Sequence, residues 1–237
     1  MKDMSRRNFV AGSLGMTAGA LFLPGHAGAQ EHDLVYDGGL VTGKPMLMGY
    51  QSIPGFLSEA QVTPHYKAHY GGALRGYLAA DLKLQSDIIE GVELDASAYG
   101  ALQRARINKA NSVVLHELYF DGMSAKPGNP DEEIQTAING RFGSIEKWAG
   151  DFQASAGAAT GWATLAFDQL NGKLYNVVSD KHATGVLWMA TPLVVIDVYE
   201  HAFYVDYTNN KSAYIEKFME HIDWQVVNSR FKALSTK

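Results

Sequence analysis

The first half of the chain carries apolar residues at helical spacing. One such pattern runs from Ser58 to about Leu84, and a second covers residues 101–120, where Val113 and Leu118 contribute to an apolar face. Two helices of this length that follow each other along the chain predict a long α-hairpin. The N-terminal part is therefore expected to be entirely helical.

Local signals mark the start and the interior of the first helix. Ser58 followed by Gln61 has the spacing of a capping box, in which the two residues satisfy each other's backbone N–H groups. Pro64 and the pair Gly71-Gly72 lie inside the same pattern. Because proline removes a backbone donor and disturbs a helix, we expect a kink or a local irregularity in this region.

The pattern changes after “KPGNP”, residues 126–130, which form the clearest helix-breaking stretch. Two further helical segments follow, and then “WATLAFD” and “KLYNVVS” flank a turn at Asn171-Gly172, which predicts a β-hairpin. A third, more buried strand comes later. We expect the strands at 162–168, 173–179 and 193–199, one helix at about 212–220 and another short helix near the C-terminus.

These elements predict an α+β fold in two domains. Residues 30–125 would form an N-terminal domain built on the long α-hairpin. Residues 126–237 would form a C-terminal domain with a three-stranded antiparallel sheet and helices.

Residues 1–29 have the features of an export signal. The Arg6-Arg7 pair precedes an apolar, uncharged segment, and Ala27 and Ala29 give the small-residue pattern of a cleavage site. This arrangement predicts a twin-arginine signal peptide and a periplasmic location. A membrane anchor is the alternative, although the apolar segment is short for a membrane span.

Composition and charge narrow the chemistry. The chain has no cysteine, so thiolate metal sites and disulfides are excluded. Its formal net charge is −5, and the predicted signal carries three cations and one anion, so cleavage would change the charge to −7. We therefore expect no nucleic-acid partner and no membrane partner for the mature protein.

Histidines and acids supply the candidate site. His65 and His69 share one helix face, His116 lies on the second helix, and Asp197 and His201 bracket the end of the third strand. Three imidazoles and one carboxylate would suit a redox-active manganese or iron ion. Each histidine taken singly is as well explained as a surface or core residue, so spacing alone leaves the site open.

Several stretches together resemble the iron/manganese superoxide dismutase family. “DVYEHAFY”, residues 197–204, is similar to its D-x-W-E-H-A-F/Y-Y signature, and “HYKAH”, residues 65–69, is similar to its H-Y-x-x-H pattern. “NSVVLHELYF” (111–120), “FGSIEKW” (142–148) and “GWATL” (161–165) look like further family segments. The resemblance extends from about residue 57 to residue 231.

The resemblance implies a metal centre and an activity. Carried over position by position, the ligands of one manganese or iron ion per subunit would be His65, His116, Asp197 and His201. The implied activity is superoxide disproportionation by a homodimer, with superoxide as substrate.

The resemblance also implies roles for neighbouring residues. His182 stands where the family has a Gln or His that hydrogen-bonds the solvent on the metal. His69 and Tyr204 match a pair that meets across the dimer interface, and Glu200 matches an acid that hydrogen-bonds a metal-binding histidine of the opposite subunit. Lys67 and Lys211 are candidates for a positive substrate entrance.

The chain departs from the family at the pocket. Ala73 replaces an active-site tyrosine that gates substrate and relays protons. Thr164 and Tyr199 stand where tryptophans are common, and Phe120 follows “HELY” in the aromatic cage. These departures leave two alternatives open: a superoxide-dismutase-like metal-binding protein with little or no turnover, and a different oxygen-handling enzyme with a widened pocket.

Overall fold

The computed structural model describes residues 38–93, 95–185 and 187–235. The predicted signal, residues 1–29, lies outside these ranges. Val35–Lys237 form one compact unit. The helices are α1 Gly39–Thr42, α2 Glu59–Pro64, a π-helix His65–Tyr70, α3 Gly71–Ile89, α4 Ala96–Asp121, α5 Glu132–Phe142, α6 Ile145–Ala158, a 3₁₀ turn Glu200–Ala202, α7 Tyr204–Tyr207, α8 Lys211–Met219 and α9 Trp224–Ser235. The strands are β1 Trp162–Asp168, β2 Lys173–Ser179 and β3 Ala190–Asp197.

The predicted α+β fold is confirmed. Helices α3 and α4 form the expected long hairpin, and a three-stranded antiparallel sheet of order β2-β1-β3 follows it along the chain. The breaking stretch 126–130 lies between α4 and α5. Among the described residues, no helix is both long and apolar enough to span a membrane.

The expected irregularity of the first helix is a π-helix. It begins directly after Pro64 and ends before Gly71, so both disturbing signals flank it. A π-turn holds about one residue more than an α-turn. Two α-turns hold about seven residues, so the inserted residue brings Ala73, eight residues after His65, close to the same helix face.

Ser58 caps α2, but the second half of the predicted capping box is wrong. The Ser58 hydroxyl accepts a hydrogen bond from the Gln61 backbone N–H at 3.2 Å. The Ser58 N–H, however, donates to Asp206 at 2.7 Å instead of to Gln61. The Gln61 amide is thereby free for a tertiary role: it donates to the His201 carbonyl at 2.6 Å and accepts from the Val205 N–H at 3.0 Å.

The sheet register places the end of β3 beside β1. Trp162 pairs with Asp197 on one side and with Ser179 on the other. Asp197 is the last residue of β3, and its carboxylate accepts a hydrogen bond from the Tyr199 N–H at 2.9 Å, which turns the chain into the 3₁₀ segment. An apolar strand therefore ends on a buried acid next to a buried tryptophan.

Candidate metal centre

Four side chains from three separate parts of the chain meet at one point. His65 comes from the π-helix, His116 from α4, Asp197 from the end of β3 and His201 from the 3₁₀ turn. One nitrogen or oxygen of each lies within 4.8 Å of the others. The structure thus brings together all four residues that the resemblance implies as ligands.

Asp197 is the centre of the cluster. Its Oδ2 lies 3.2 Å from Nε2 of His65, 3.2 Å from Nε2 of His201 and 3.6 Å from Nε2 of His116. Burial raises the pKa of this carboxyl, but hydrogen bonds and charge from His201 and His65 outweigh burial and hold the pKa far below its usual range. Asp197 is therefore an anion at neutral pH despite its complete burial.

The hydrogen bonding of His116 leaves one ring nitrogen available. Its Nδ1 lies 2.7 Å from the Ser112 carbonyl, which can only accept, so Nδ1 carries the proton. Burial is the main reason that the pKa of His116 is lowered to about 3, so the ring is neutral. Nε2 then presents a lone pair, and it is buried with no hydrogen-bond partner among the described residues.

This arrangement fits a cation. The unprotonated Nε2 of His116 faces the anionic Oδ2 of Asp197 at 3.6 Å, which is unfavourable unless a positive charge lies between them. Three imidazoles and one carboxylate are ligands that suit manganese and iron, and no thiolate is present to favour softer ions. We infer that His65, His116, Asp197 and His201 could hold one such ion.

The backbone carbonyls of Asp197 and His201 are also held by hydrogen bonds, and the sequence did not indicate the side chains that make them. The Tyr214 hydroxyl donates to the Asp197 carbonyl at 2.8 Å and lies 2.9 Å from the Tyr119 hydroxyl. Gln61 holds the His201 carbonyl from α2. The only sequence signal at Gln61 was the capping-box spacing, which predicted a bond to the Ser58 N–H and not to the His201 carbonyl.

His182 lies next to the cluster. Trp162 donates from Nε1 to His182 Nδ1 at 3.0 Å, so the neutral ring carries its proton on Nε2. The His182 ring centre is 6.3 Å from that of His116 and 5.3 Å from that of Tyr199. Burial lowers the pKa of His182, the charge of Asp197 opposes this effect, and Lys109 and His201 reinforce it.

The three residues assigned to an interface lie at the surface. His69, Glu200 and Tyr204 are exposed, and Tyr204 exposes 53% of its area. The His69 ring stacks on His201, with ring centres 3.7 Å apart and planes 9° apart. Burial is the first reason that the pKa of His69 is lowered to about 4, followed by the charges of His201 and His65. His69 therefore extends the site from a ligand outward to the exposed face.

Comparisons with known proteins agree with this geometry. Residues 130–230 match the family model of the C-terminal domain of iron/manganese superoxide dismutases. The chain is 36% identical over 189 residues to manganese superoxide dismutase 2 of Haloferax volcanii, covering 79% of this chain and 94% of the relative. An iron superoxide dismutase of Cupriavidus metallidurans is 34% identical over 180 residues, with 75% and 89% covered. The chain belongs to the iron/manganese superoxide dismutase family.

Relatives named as manganese enzymes and relatives named as iron enzymes are similar to this chain in sequence identity. An iron superoxide dismutase of Aquifex aeolicus is 36% identical over 185 residues, covering 74% of this chain and 84% of the relative. Identity to manganese-named and iron-named proteins is therefore nearly equal, and it does not select between the two ions.

Two of the departures from the family pattern have clear surroundings. Ala73 is 3% exposed and belongs to the hydrophobic core, so the absence of the tyrosine side chain does not leave an open entrance at this position. Phe120 is also buried, and its ring centre lies 4.9 Å from that of His65. Phe120 thus contributes an aromatic ring to the surroundings of His65.

We predict that His116→Ala abolishes stoichiometric binding of manganese or iron. The change removes the one unpaired nitrogen of the cluster and leaves two imidazoles beside the buried carboxylate. His221→Ala is the matched control, because His221 also combines an aromatic neighbour with a hydrogen bond to a helix carbonyl but lies outside the cluster. Metal content per subunit after reconstitution is the measurement. One tightly bound ion in His116→Ala would contradict the assignment.

Proposed function

We propose that this protein is a superoxide dismutase with one manganese or iron ion per subunit, held by His65, His116, Asp197 and His201. The observation that carries the proposal is the buried cluster with its unpaired His116 Nε2, in a chain that belongs to this family. The reaction converts two superoxide ions and two protons into O₂ and H₂O₂. The bound ion supplies the redox chemistry by alternately oxidising one superoxide and reducing the next.

Each ligand needs a fixed orientation for this task. The Ser112 carbonyl fixes the proton of His116 on Nδ1, and the Tyr199 N–H occupies the second carboxylate oxygen of Asp197. Such outer hydrogen bonds orient the ligands and tune their basicity, which sets the reduction potential of a bound ion. The potential must lie between those of the two superoxide half-reactions.

We assign proton handling at the site to His182. Its Nε2 carries the proton in the neutral ring because Nδ1 accepts from Trp162. A hydrogen bond from Nε2 toward the metal centre would take the place of the tyrosine hydroxyl that Ala73 lacks. This assignment rests on the position of His182 beside His116 and Tyr199.

Lys211 is a weaker candidate than Lys67 for attracting the anionic substrate. Its Nζ donates to the carbonyls of Gly157 and Ala159, at 3.1 and 2.5 Å, and is thereby anchored to the end of α6. Lys67 lies on the π-helix, two residues from His65 and two from His69, and its side chain is exposed. It stays a candidate for attracting the anionic substrate.

The alternative is a metal-binding protein of the same fold with little turnover. Ala73, Thr164 and Tyr199 favour it, because each replaces a residue that the family places around the pocket. The two functions differ in turnover and not in metal content.

We predict that His182→Ala lowers superoxide turnover more than it lowers metal content, and changes the pH–rate profile. The variant removes the Nε2 proton donor but none of the four ligands. Ala73→Tyr should raise turnover or shift the same profile, because it returns a hydroxyl near the face of His65. Stopped-flow superoxide decay at equal metal loading is the measurement. A His182→Ala profile identical to wild type at every pH would refute the assignment to His182.

We further propose that the protein is a homodimer whose interface includes His69, Glu200 and Tyr204. Their exposure beside the ligand His201 supports this, because the same surface would meet its own copy across a two-fold axis. In the dimer, Glu200 would hydrogen-bond a metal-binding histidine of the opposite subunit.

Glu200→Ala should weaken both dimer association and metal retention, because it removes an orienting partner of the ligand. Glu216→Ala, an exposed acid on α8, is the control and should change neither. Sedimentation over a concentration series, combined with metal analysis, measures both effects. A Glu200→Ala protein that stays fully dimeric and fully loaded would show that Glu200 has no such role.

We also propose export to the periplasm by the twin-arginine route. The Arg6-Arg7 pair, the apolar segment and the Ala27/Ala29 pattern support it. This route carries folded proteins, so the ion would be acquired before export.

Changing Arg6 and Arg7 together to Lys should leave the precursor in the cytoplasm, which fractionation and blotting can measure. Export of the double variant at the normal level would indicate another route or an anchor.

A further inference from the structure

A cavity of about 200 Å³ lies between α4 and the sheet, beside the metal centre. Thr164 and Ala166 of β1 contribute to its wall. Side chains alternate along a strand, so both lie on the same face of β1 as Trp162, whose ring centre is 5.0 Å from that of His116. The cavity therefore continues along the face of the sheet that covers the metal centre.

Small side chains account for the empty volume. Thr164 stands where the family commonly has tryptophan, and its cross-strand neighbour in the wall is Val177. Protein interiors are close-packed and contain few voids larger than a water molecule. This cavity opens to solvent at a rim that includes the exposed residues Thr184 and Leu187, and the short Thr164 side chain leaves its inner part unfilled.

The residues that line the cavity favour a neutral ligand over an ion. The wall contains no Asp, Glu, Lys or Arg, so an ion would lose its hydration without compensation. Val114, Leu115 and Ala166 make much of it apolar. Five polar side chains interrupt this surface, those of Asn111, Thr164, Ser179, His182 and Thr184. The Ser179 and Thr184 hydroxyls donate to the Lys181 carbonyl, and His182 Nδ1 accepts from Trp162. The Asn111 amide and the Thr164 hydroxyl have no hydrogen-bond partner in the part of the chain that the structure describes.

We propose that this cavity binds a neutral molecule of the size of phenol. The ring would lie against Val114, Leu115 and Ala166, and the single hydroxyl would meet Asn111 and Thr164. An apolar protein cavity of about 150 Å³ takes up benzene, so the volume here leaves room for one added oxygen. The proposal concerns binding only, and it does not depend on superoxide turnover.

Calorimetric titration of the metal-loaded protein with phenol tests this proposal. We expect one site per subunit with a dissociation constant of about a millimolar, as suits so small a ligand. Thr164→Trp should weaken binding at least ~10-fold because the indole fills the cavity. Val178→Trp is the matched control: Val178 is the next residue of β2 after Val177, points to the opposite face and is 40% exposed, so binding should stay unchanged.

A second variant and a second probe test the orientation. Asn111→Leu should abolish the preference for phenol over benzene, because it removes a partner of the hydroxyl while keeping the volume. Benzoate should bind at least ~10-fold more weakly than phenol, because its charge meets no cation in the wall. If Thr164→Trp loses metal or melts early, Ala166→Leu fills the same space. No phenol binding by wild type, or equal binding by wild type and both filled variants, would overturn the proposal.

Discussion

The structure depends on one buried negative charge. Asp197 is fully buried at the end of a strand, where an isolated carboxylate would cost several kcal/mol. Three imidazole nitrogens within 3.6 Å of its Oδ2 compensate the charge only in part, because His116 donates from Nδ1 to the Ser112 carbonyl and its Nε2 has no proton to offer Asp197. A metal ion completes the balance. The helical hairpin and the sheet must meet at this point, since the ligands come from both.

Hydrogen bonds from outside the cluster orient three of its four residues. Ser112 orients His116, Tyr214 holds the backbone of Asp197, and Gln61 holds the backbone of His201. These partners come from different elements, so the geometry of the site is tied to the packing of α2, α4, α8 and the sheet. A change in the packing of any of these elements would therefore displace a ligand.

Much of the fold could be predicted because its local signals agree with its tertiary structure. The two strand-forming stretches on either side of the Asn171-Gly172 turn predicted the bounds of β1 and β2 as the structure has them. The candidate ligands followed from family motifs, since the spacing of the histidines alone left the metal site open. A tertiary hydrogen bond explains what was missed, because Asp206 accepts from the Ser58 N–H that Gln61 was expected to cap.

The central claim is that the four-residue cluster is one manganese or iron centre that disproportionates superoxide. Stepwise reconstitution of the metal-free protein, with metal content and superoxide decay measured on each sample, tests it most directly. The account predicts that turnover rises in proportion to manganese or iron and stops rising at one ion per subunit. A protein that binds one ion per subunit but removes superoxide no faster than the free ion would contradict it.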